Sequence, residues 1–454
     1  MTGALLGAVL AAASPSRTAS AQDTAAPVAR SSAPLTMREA IDSARRNHPD
    51  LRVAREAVAV ATAFERQAAA WQNPTFTWSR EQVSRTEGTN AEDILRLEQP
   101  VPIGGQRSAR REAASLRREV AEARLRAAEA QLAFDVTRAY ALAVAADRRA
   151  ALASEAAAAF ITARRASEQR LAAGDIAGYA HRRIGLESAR YATLRAAAVL
   201  DQRAARLALA ALVTSTPDSI GSFAAQLALI DTLPTTAPGP VPIAVTTGVT
   251  RSTAVDSLLA FAFANRSELR AVLLEADAAA AEARLASRSR VPVPAISAGV
   301  KREQIPGVAE HGSGLVAGVS LPLPLWDRGG GSVSAAEAEA RRRSALAESV
   351  RRQTVREVTE AYEAVLATLE QTSLLQTEVG ADDPRLALRA AQAAYAEGEI
   401  SLVEWLDAVR AYHETQANWA TLRAEAAIRF GELERAIGRP LSPAVTGTTG
   451  GIER

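Results

Sequence analysis

Two hydrophobic patterns alternate along the chain, and in the longer one apolar residues recur every three or four positions. This spacing is typical of one face of an α-helix. Neither glycine nor proline interrupts residues 106–173 or residues 332–379. At about 1.5 Å per residue, the first run would be roughly 100 Å long. Such lengths predict helices that share narrow seams with neighbouring helices, as in coiled coils. In the second run the apolar positions are Leu346, Val350, Val358, Tyr362, Val365 and Leu369.

The other pattern has a period of two. Every odd position from Leu315 to Leu325 is apolar, whereas the even positions hold glycine, serine, proline and one valine. Alternation of this kind predicts a β-strand. A tilted strand of about ten residues crosses a lipid bilayer, with its polar face towards a water-filled interior. An ordinary hairpin of a soluble domain would show the same alternation. Weaker examples surround Phe76 and Trp78, Leu95 and Leu97, and Val291 and Val293.

The two patterns occur twice in the same order. Four short motifs recur at offsets of 218, 222, 222 and 224 positions, so residues 35–215 and 252–441 are predicted to be two copies of one unit. Each copy would contain a helix (Thr36–Trp71 or Arg251–Arg290), two strands, and two long helices joined at a glycine turn. The paired motifs are Asn47–Arg52 with Asn265–Arg270, Gln99–Ile103 with Leu321–Leu325, Arg138–Tyr140 with Glu360–Tyr362, and Ala173–Ile176 with Glu397–Ile400.

The segments outside the two copies differ from them in composition. An apolar stretch from Leu5 to Ala13 and the small residues Ala19–Ala21 predict a signal peptide over residues 1–21. No basic residue precedes that stretch, so a disordered leader of a cytosolic protein is the alternative. We also expect a flexible segment, a linker and a disordered tail, which cover residues 22–34, 216–251 and 442–454.

Composition and motifs exclude several classes of function. The chain has no cysteine, which excludes disulfides and cysteine-ligated metals. It has 53 basic and 51 acidic residues, and no block of like charge indicates a nucleic-acid partner. The sequence motifs of nucleotide-binding loops, zinc proteases and serine hydrolases do not occur. We therefore expect no enzyme, with no catalytic residues, no cofactor and no metal site. The four histidines are not at metal-ligand spacing and are His48, His181, His311 and His413.

The predicted strands require more than one chain. No stretch after the leader approaches the roughly 20 apolar residues of a spanning helix, so a membrane would have to be crossed by strands. Four strands are too few to close a barrel, and an open sheet edge is not tolerated in lipid. The long helices likewise cannot bury their seams alone. Symmetric assembly of identical copies satisfies both needs, although the number of copies does not follow from this argument.

Three motifs in this layout resemble the TolC family of outer-membrane efflux proteins, and are most similar to its heavy-metal (CzcC-like) branch. They are two strand-to-helix junctions, Glu98–Arg107 and Leu321–Gly330, and the turn region Tyr395–Ala408. The resemblance extends over residues 35–441. It implies a mainly α-helical fold with four strands per protomer. In the homotrimer the long helices would form a periplasmic α-barrel, and twelve strands would share one β-barrel in the outer membrane.

The resemblance also implies a function and partners. The trimer would be a passive exit channel that conducts drugs or metal cations across the periplasm and the outer-membrane lipid. A periplasmic adaptor protein and an inner-membrane pump of the RND type would join it, and the pump would supply the energy. The alternative is a periplasmic adaptor with a coiled-coil hairpin. An adaptor shares the leader and the long helices, but it would not contain two copies with two strands each.

Proline and glycine mark the predicted ends of strands and helices. Proline cannot donate a hydrogen bond to a strand ladder and therefore ends pairing. Glycine allows the backbone to turn from a strand into a helix. The predicted junction residues are Pro102, Gly104, Gly105, Pro322, Gly329 and Gly330, and the predicted turns at the periplasmic tip are centred on Gly174 and Gly398.

A pair of acidic residues follows the second tip turn. Glu404 and Asp407 are three positions apart and so lie on one helix face. They match, by position, two acids that line the narrowest opening in the TolC family, where rings of carboxylates would select cations. Tyr395 matches a tyrosine that helps to tie the tip closed. An ordinary solvated helix face is the alternative. The first copy is basic here, and one hypothesis is that Arg182 or Arg183 pairs with these acids across the aperture.

Overall fold

The structure is a computed structural model, and it describes residues 35–85, 88–213, 251–304, 312–379 and 384–441. The predicted signal peptide, the segments 22–34 and 442–454, and nearly all of the predicted linker lie outside the described residues. The helices are α1 (Met37–Asn47), α2 (Pro49–Ala69), α3 (Gln106–Ala172), α4 (Gly178–Val213), α5 (Arg251–Asn265), α6 (Ser267–Arg288), α7 (Gly330–Val379), α8 (Pro384–Glu397) and α9 (Leu402–Ile437). The strands are β1 (Thr75–Arg85), β2 (Gly88–Pro100), β3 (Ala295–Gln304) and β4 (Gly312–Ser320).

Each copy begins with two helices where the sequence predicted one, so that prediction was wrong. His48 is extended, and its Nδ1 accepts a hydrogen bond from the Asp50 amide at 3.3 Å, which caps α2. Pro49 suits the first position of a helix because its missing N–H would have had no helical partner. In the second copy the break falls at Arg266, whose buried guanidinium pairs with Glu268 and Glu357 at 2.6 and 2.5 Å.

The four strands form one antiparallel sheet in the order β1-β2-β3-β4. Because β2 belongs to the first copy and β3 to the second, the sheet joins the two repeats at its centre. β4 ends at Ser320, short of the predicted Leu325, because the prolines that follow cannot donate to the ladder. β3 begins at Ala295, beyond the predicted Val291 and Val293. Within the part of the chain that the structure describes, the outer edges of β1 and β4 are unpaired.

The two faces of the sheet differ in polarity. On one face most ladder partners in neighbouring strands are apolar, and most of the larger apolar side chains there are exposed. Towards the hairpin ends the same face becomes charged, with Arg80 opposite Asp93. The opposite face carries charged pairs, such as Lys301 with Glu92, whose Nζ and Oε2 atoms are 2.8 Å apart. This arrangement agrees with the predicted strand pattern. The largest apolar side chains of the first face are Phe76, Trp78, Leu95, Leu97, Ile296, Val300, Leu315 and Val319.

The long helices form a layer in which α3 is central. It packs against α2 and α4, which belong to the same copy, and against α6 and α9 of the second copy. The helix α7 packs against α6 and α9 and so forms the other edge of the layer. The order of the helices across the layer therefore follows the order of the strands in the sheet. No described helix is both long enough and apolar enough to span a membrane.

Each copy has its own hydrophobic core midway along the long helices. In the first copy, α1, α3 and α4 bury a cluster around Val136 and Tyr140. In the second copy, α5, α7 and α9 bury a cluster around Val358 and Tyr362. Both tyrosines are at most 1% exposed. Val358 lies 222 positions after Val136, and Tyr362 lies 222 positions after Tyr140. The predicted duplication is thus present in the packing, and the predicted mainly α-helical fold with a small sheet and two internal repeats is confirmed.

Candidate functional site

Two glycine turns end the long hairpins and have the same backbone geometry. Gly174 follows α3 with φ of 81°, and Gly398 follows α8 with φ of 82°. In both turns the glycine amide donates to the carbonyl three residues earlier, and the next amide donates to the carbonyl five residues earlier. These bonds satisfy carbonyls at the helix end, and the left-handed φ favours glycine. Both glycines therefore lie in tight turns, and their location at a periplasmic tip stays a prediction.

Next to the turns, aromatic side chains of both copies form one core. Phe160 of α3 is fully buried and stacks on Tyr191 of α4, with ring centroids 4.4 Å apart. Its other neighbour is Trp405 of α9, at 5.6 Å between centroids. Tyr395 of α8 also stacks on this indole, with ring centroids 5.3 Å apart. Tyr395, which the resemblance linked to closure of the tip, therefore packs inside its own chain and fixes α8 against α9.

Glu404 has a structural partner at the start of α9. Its Oε2 accepts a hydrogen bond from the Ser401 amide at 2.7 Å, while the Ser401 hydroxyl accepts one from the Glu404 amide at 3.3 Å. This reciprocal pair is a capping box, which satisfies two amides that the helix leaves unpaired. The bond from the Ser401 backbone lowers the pKa of Glu404 below its ordinary value. Glu404 is exposed and remains charged at neutral pH.

Asp407 lies on an ion-pair network that links the two copies. Its Oδ1 is 3.4 Å from Nη1 of Arg410, one turn further along α9. The other terminal nitrogen of Arg410 donates to Glu187 on α4, which is 223 positions away in the chain. Arg190 approaches the second oxygen of Glu187 at 3.8 Å. The Glu187 side chain is only 13% exposed, so Arg410 compensates a largely buried charge.

The two basic residues predicted at this place do not take part in that network. Arg182 is exposed and Arg183 is half-buried on the first turns of α4. Among the described residues of one chain, no ion pair joins either arginine to Glu404 or Asp407. The neighbouring His181 instead bonds through Nδ1 to the Ser167 hydroxyl at 2.9 Å, which ties α4 to α3 beside the Gly174 turn.

The strand-to-helix junctions place the predicted glycines where backbone geometry needs them. Gly105 precedes α3 with φ of 74°, and Gly329 precedes α7 with φ of 70°. A Cβ on Gly104 would lie 2.7 Å from Cβ of Val291, so the first junction packs tightly against the segment between α6 and β3 of the second copy. Pro102 and Pro322 both lie two residues beyond the end of a strand, and Gly330 is the first residue of α7.

Sequence reasoning missed the residues that connect the copies at the tip. These are Phe160, Trp405, Glu187 and Arg410. Their partners lie far away in the chain, so no local spacing indicates them. The only signal was that Arg410 follows Asp407 by three positions on the same helix face. Within the described residues, no three histidine, aspartate or glutamate side chains are grouped closely enough to hold a metal ion.

Comparison with known proteins gives a family and a fold. The sequence matches the family described as "Outer membrane efflux protein" over residues 40–212 and 258–439, which correspond to the two copies. No curated protein gives a significant match to the sequence.

Several solved structures share the architecture. The CmeC outer membrane channel of Campylobacter jejuni has a TM-score of 0.69 and 15% identity, covering 88% of this chain and 85% of that one. The outer membrane protein VceC of Vibrio cholerae gives 0.66 and 19%, with coverages of 89% and 97%. The MtrE outer membrane channel of Neisseria gonorrhoeae, in its open state, gives 0.64 and 17%, with coverages of 89% and 89%.

Proposed function

The chain belongs to the outer membrane efflux protein family, and from this premise we propose that it is the exit channel of a tripartite efflux system. Three copies would form one conduit, with the helical layer in the periplasm and the sheet in the outer membrane. A periplasmic adaptor and an inner-membrane pump of the RND type would deliver the substrate at the tip. The channel itself would be passive and have no enzymatic activity.

The observation that carries this proposal is that one protomer leaves two edges of its sheet and helical layer without a neighbour. The strand β1 and the helices α2 and α4 lie at one edge, whereas β4 and α7 lie at the other. Large apolar side chains are exposed at the first edge, with Val53 at 70% and Leu200 at 67%. Because the two edges differ, identical chains would join head to tail, with the first edge of one chain against the second edge of the next. Such contacts give a closed ring when the rotation between neighbouring chains divides a full turn into whole steps. Three copies would contribute twelve strands.

The alternative of a periplasmic adaptor has less support. A one-hairpin adaptor leaves no role for a second copy of the fold or for a four-stranded sheet with one apolar face. An adaptor freed of any anchor would be soluble without detergent. An exit channel would need detergent to cover the apolar face of its sheet.

We further propose that the tip of the ring is its narrowest opening and that Glu404 and Asp407 line it. The carboxylate of Asp407 is 61% exposed, so it is available to the solution on the side away from Arg410. Rings of carboxylates would favour cations over anions. Arg182 or Arg183 would then pair with these acids across the aperture. The substrate would be drugs or metal cations, and the motifs that resemble the heavy-metal branch do not decide between them.

The experiment that tests the exit channel is purification in detergent followed by sizing and planar-bilayer recording. We expect a trimer that is insoluble without detergent and that produces long-lived conducting events. A monomer that stays soluble after detergent removal would refute the proposal.

The gate has its own test in the same recordings. Replacing Arg182→Ala together with Arg183→Ala is expected to raise single-channel conductance, because the aperture loses its cationic partners. Arg195→Ala, an exposed arginine further along α4, is the matched control and should leave conductance unchanged. Equal conductance in the double variant and the control would remove the arginine gate but not the channel.

A further inference from the structure

We propose that neighbouring chains of the ring join through the same strand and helix register that joins the two repeats inside one chain. This inference rests on the ring described above and specifies its interface residue by residue. Inside one chain, β2 of the first repeat pairs with β3 of the second, and we call this the central junction. Between chains, β4 would pair with β1 of the neighbouring chain in the equivalent register. Residues that are partners at the new junction can be read from the repeat offsets.

The strand offsets follow from the two hairpins. Phe76 is opposite Leu97 in the first hairpin, and Ile296 is opposite Val319 in the second. Ile296 is 220 positions after Phe76, and Val319 is 222 positions after Leu97. A proline precedes both first strands at the same offset, since Pro294 is 220 positions after Pro74. The value of 222 is also the offset of the junction motifs that follow β2 and β4.

Applying these offsets to the central junction gives the new register. Inside the chain, Glu98 of β2 is opposite Ser297 of β3. Their counterparts are Ser320 of β4 and Thr77 of β1 in the neighbouring copy. Adjacent pairs follow in the same way. Leu97 opposite Ala298 becomes Val319 opposite Trp78, and Arg96 opposite Gly299 becomes Gly318 opposite Ser79.

The register is the same at both junctions, but the strand separation must differ at one position. At the central junction the strands approach closely, and a Cβ on Gly299 would lie 2.2 Å from the carbonyl oxygen of Leu95. The counterpart of Gly299 is Ser79, which has a side chain. The residue predicted opposite Ser79 is Gly318, so the pair again contains one glycine. Around Gly318 itself, a Cβ would meet only Ser297 Oγ, at 3.2 Å. A glycine on the opposite strand does not make room for a Cβ beside a backbone carbonyl, so the strands around Ser79 must be farther apart than those around Gly299.

The helices at the open edges have counterparts that are buried inside the chain. Val53 of α2 is 70% exposed, whereas its counterpart Ala271 on α6, 218 positions later, is 4% exposed. Val60 is 54% exposed, and its counterpart Ala278 is 5% exposed. The difference arises because α6 lies between α3 and α7, whereas α2 has a neighbour on one side only. Larger apolar residues thus occupy the positions that a neighbouring copy would cover.

The other edge supplies the complementary surface. Ala145 of α3 and Ala424 of α9 pack together in a small alanine cluster inside the chain. Their counterparts are Ala367 on α7, 222 positions after Ala145, and Leu200 on α4, 224 positions before Ala424. Ala367 is exposed, and Leu200 is 67% exposed. A small residue on one edge therefore meets a large one on the other, which suits packing of one helix against its neighbour.

Charge agrees with the same register. Ala141 and Ala427 complete the alanine cluster inside the chain. Their counterparts at the same offsets are Glu363 on α7 and Arg203 on α4. Both are exposed in a single chain. An acid and a base would therefore replace two alanines at the interface between copies, where they would set the partner and the register.

The test is cysteine cross-linking, which is clean because the natural chain has no cysteine. The Val101 amide donates to the Pro294 carbonyl at 2.8 Å, so these two residues form a hydrogen-bonded pair. Hydrogen-bonded and non-hydrogen-bonded pairs alternate along an antiparallel ladder. Glu98 and Ser297, three pairs further along, therefore form a non-hydrogen-bonded pair. Opposite residues of this kind have Cα atoms about 4.5 Å apart, which a disulfide accommodates. Ser320→Cys with Thr77→Cys should therefore form covalent ladders up to the full ring after mild oxidation.

Two flanking pairs are the matched controls. Ser320→Cys with Thr75→Cys, and Ser320→Cys with Ser79→Cys, place the second thiol on the same face but one diagonal step away, about 7–8 Å. We expect at least about a fivefold lower yield from each, because a disulfide needs Cβ atoms within about 4.5 Å. Ala367→Cys with Leu200→Cys tests the helical register independently. Single-cysteine variants should give no ladder beyond a dimer.

The outcomes separate this inference from the proposed function. A ring in detergent whose strongest cross-link is at Thr75 or Ser79, or which gives none at any of the three positions, overturns the register but leaves the channel. A chain that is monomeric in detergent by sizing overturns both. The strongest yield at Thr77, together with a ladder from the helical pair, supports the register.

Discussion

The middle and the tip of the helical layer use the two repeats differently. Midway along the helices each copy buries its own core, and the fully buried tyrosines Tyr140 and Tyr362 occupy equivalent places. At the tip there is one core, in which Phe160 of the first copy contacts Trp405 of the second. Packing has preserved the duplicated core, whereas the tip has lost its symmetry. The tip is thus where the copies act as one unit.

Charge shows the same difference. After the first tip turn the chain places His181, Arg182 and Arg183, whereas after the second it places Glu404 and Asp407. The turns themselves are alike, with φ of 81° and 82°. The duplicated backbone therefore presents a basic surface beside an acidic one. In a ring of identical chains, basic and acidic surfaces would alternate around the tip. The predictions below test how far the tip and the middle are independent.

The largest effect is expected from the shared tip core. Phe160→Ala should lower the free energy of unfolding of the tip by about 3–5 kcal/mol, because it removes a fully buried ring and leaves a cavity. Hydrogen exchange should accelerate along both α4 and α9 near the tip, but not around Tyr140. Ile161→Ala, which truncates a 42% exposed neighbour, is the control. Acceleration confined to the first copy would contradict a core shared by both.

The ion pair between the copies comes next. Arg410→Met should cost about 1.5–3 kcal/mol, because it leaves the largely buried Glu187 without its charge-assisted partner. The effect should appear as earlier thermal unfolding and easier proteolysis at the tip. Arg190→Met is the control, since Arg190 is 54% exposed and 3.8 Å from the same carboxylate. Equal losses in the two variants would show that Arg410 has no special role.

A smaller effect, equal in the two copies, is expected from the turns. Gly174→Ala and Gly398→Ala should each cost about 1–2 kcal/mol, because both glycines are left-handed and a side chain there is strained whatever the space around it. Gly185→Ala, within α4 and with open space around it, should instead stabilise the protein by up to about 1 kcal/mol. Thermal melts compare the three variants. Clearly unequal losses at the two turns would break their equivalence.

The smallest effect concerns pH. His413 on α9 is half-buried beside Tyr191 and Tyr412, and burial lowers its pKa below 6.5, although Glu155 acts in the opposite direction. Between the lowered pKa and pH 6.5, His413 is therefore mostly neutral in the folded chain and mostly protonated in the unfolded chain. Its contribution to stability is complete above pH 6.5 and is lost as the pH falls towards the folded pKa.

Thermal melts between pH 7.5 and 5 measure this loss. His413→Phe should flatten the dependence at the tip, whereas His48→Phe, at the break between α1 and α2, is the comparison from the middle of the molecule. An unchanged pH dependence in His413→Phe would assign the effect to other groups.

The sequence by itself determined the helices, the strands and the duplication. The long uninterrupted run before Ala173, the alternation around Leu315 and the glycines at both tip turns are local signals, because each depends on spacing within one element. The alternation overran the end of β4 and continued to Leu325, because the two prolines there stop hydrogen bonding without changing the apolar spacing. The breaks before α2 and α6 were missed because the apolar spacing continues across them, although Pro49 is a known start signal.

Only the tertiary structure decided which residues form the tip. Arg410 meets Glu187 across 223 positions, and Tyr395 stacks on Trp405 within the same chain. Nor did periodicity indicate that α3 is the central helix or that Val53 is exposed while Ala271 is buried. The physical reason is that hydrophobic periodicity reports which face of a helix is buried, whereas the partner of that face depends on how distant segments pack together.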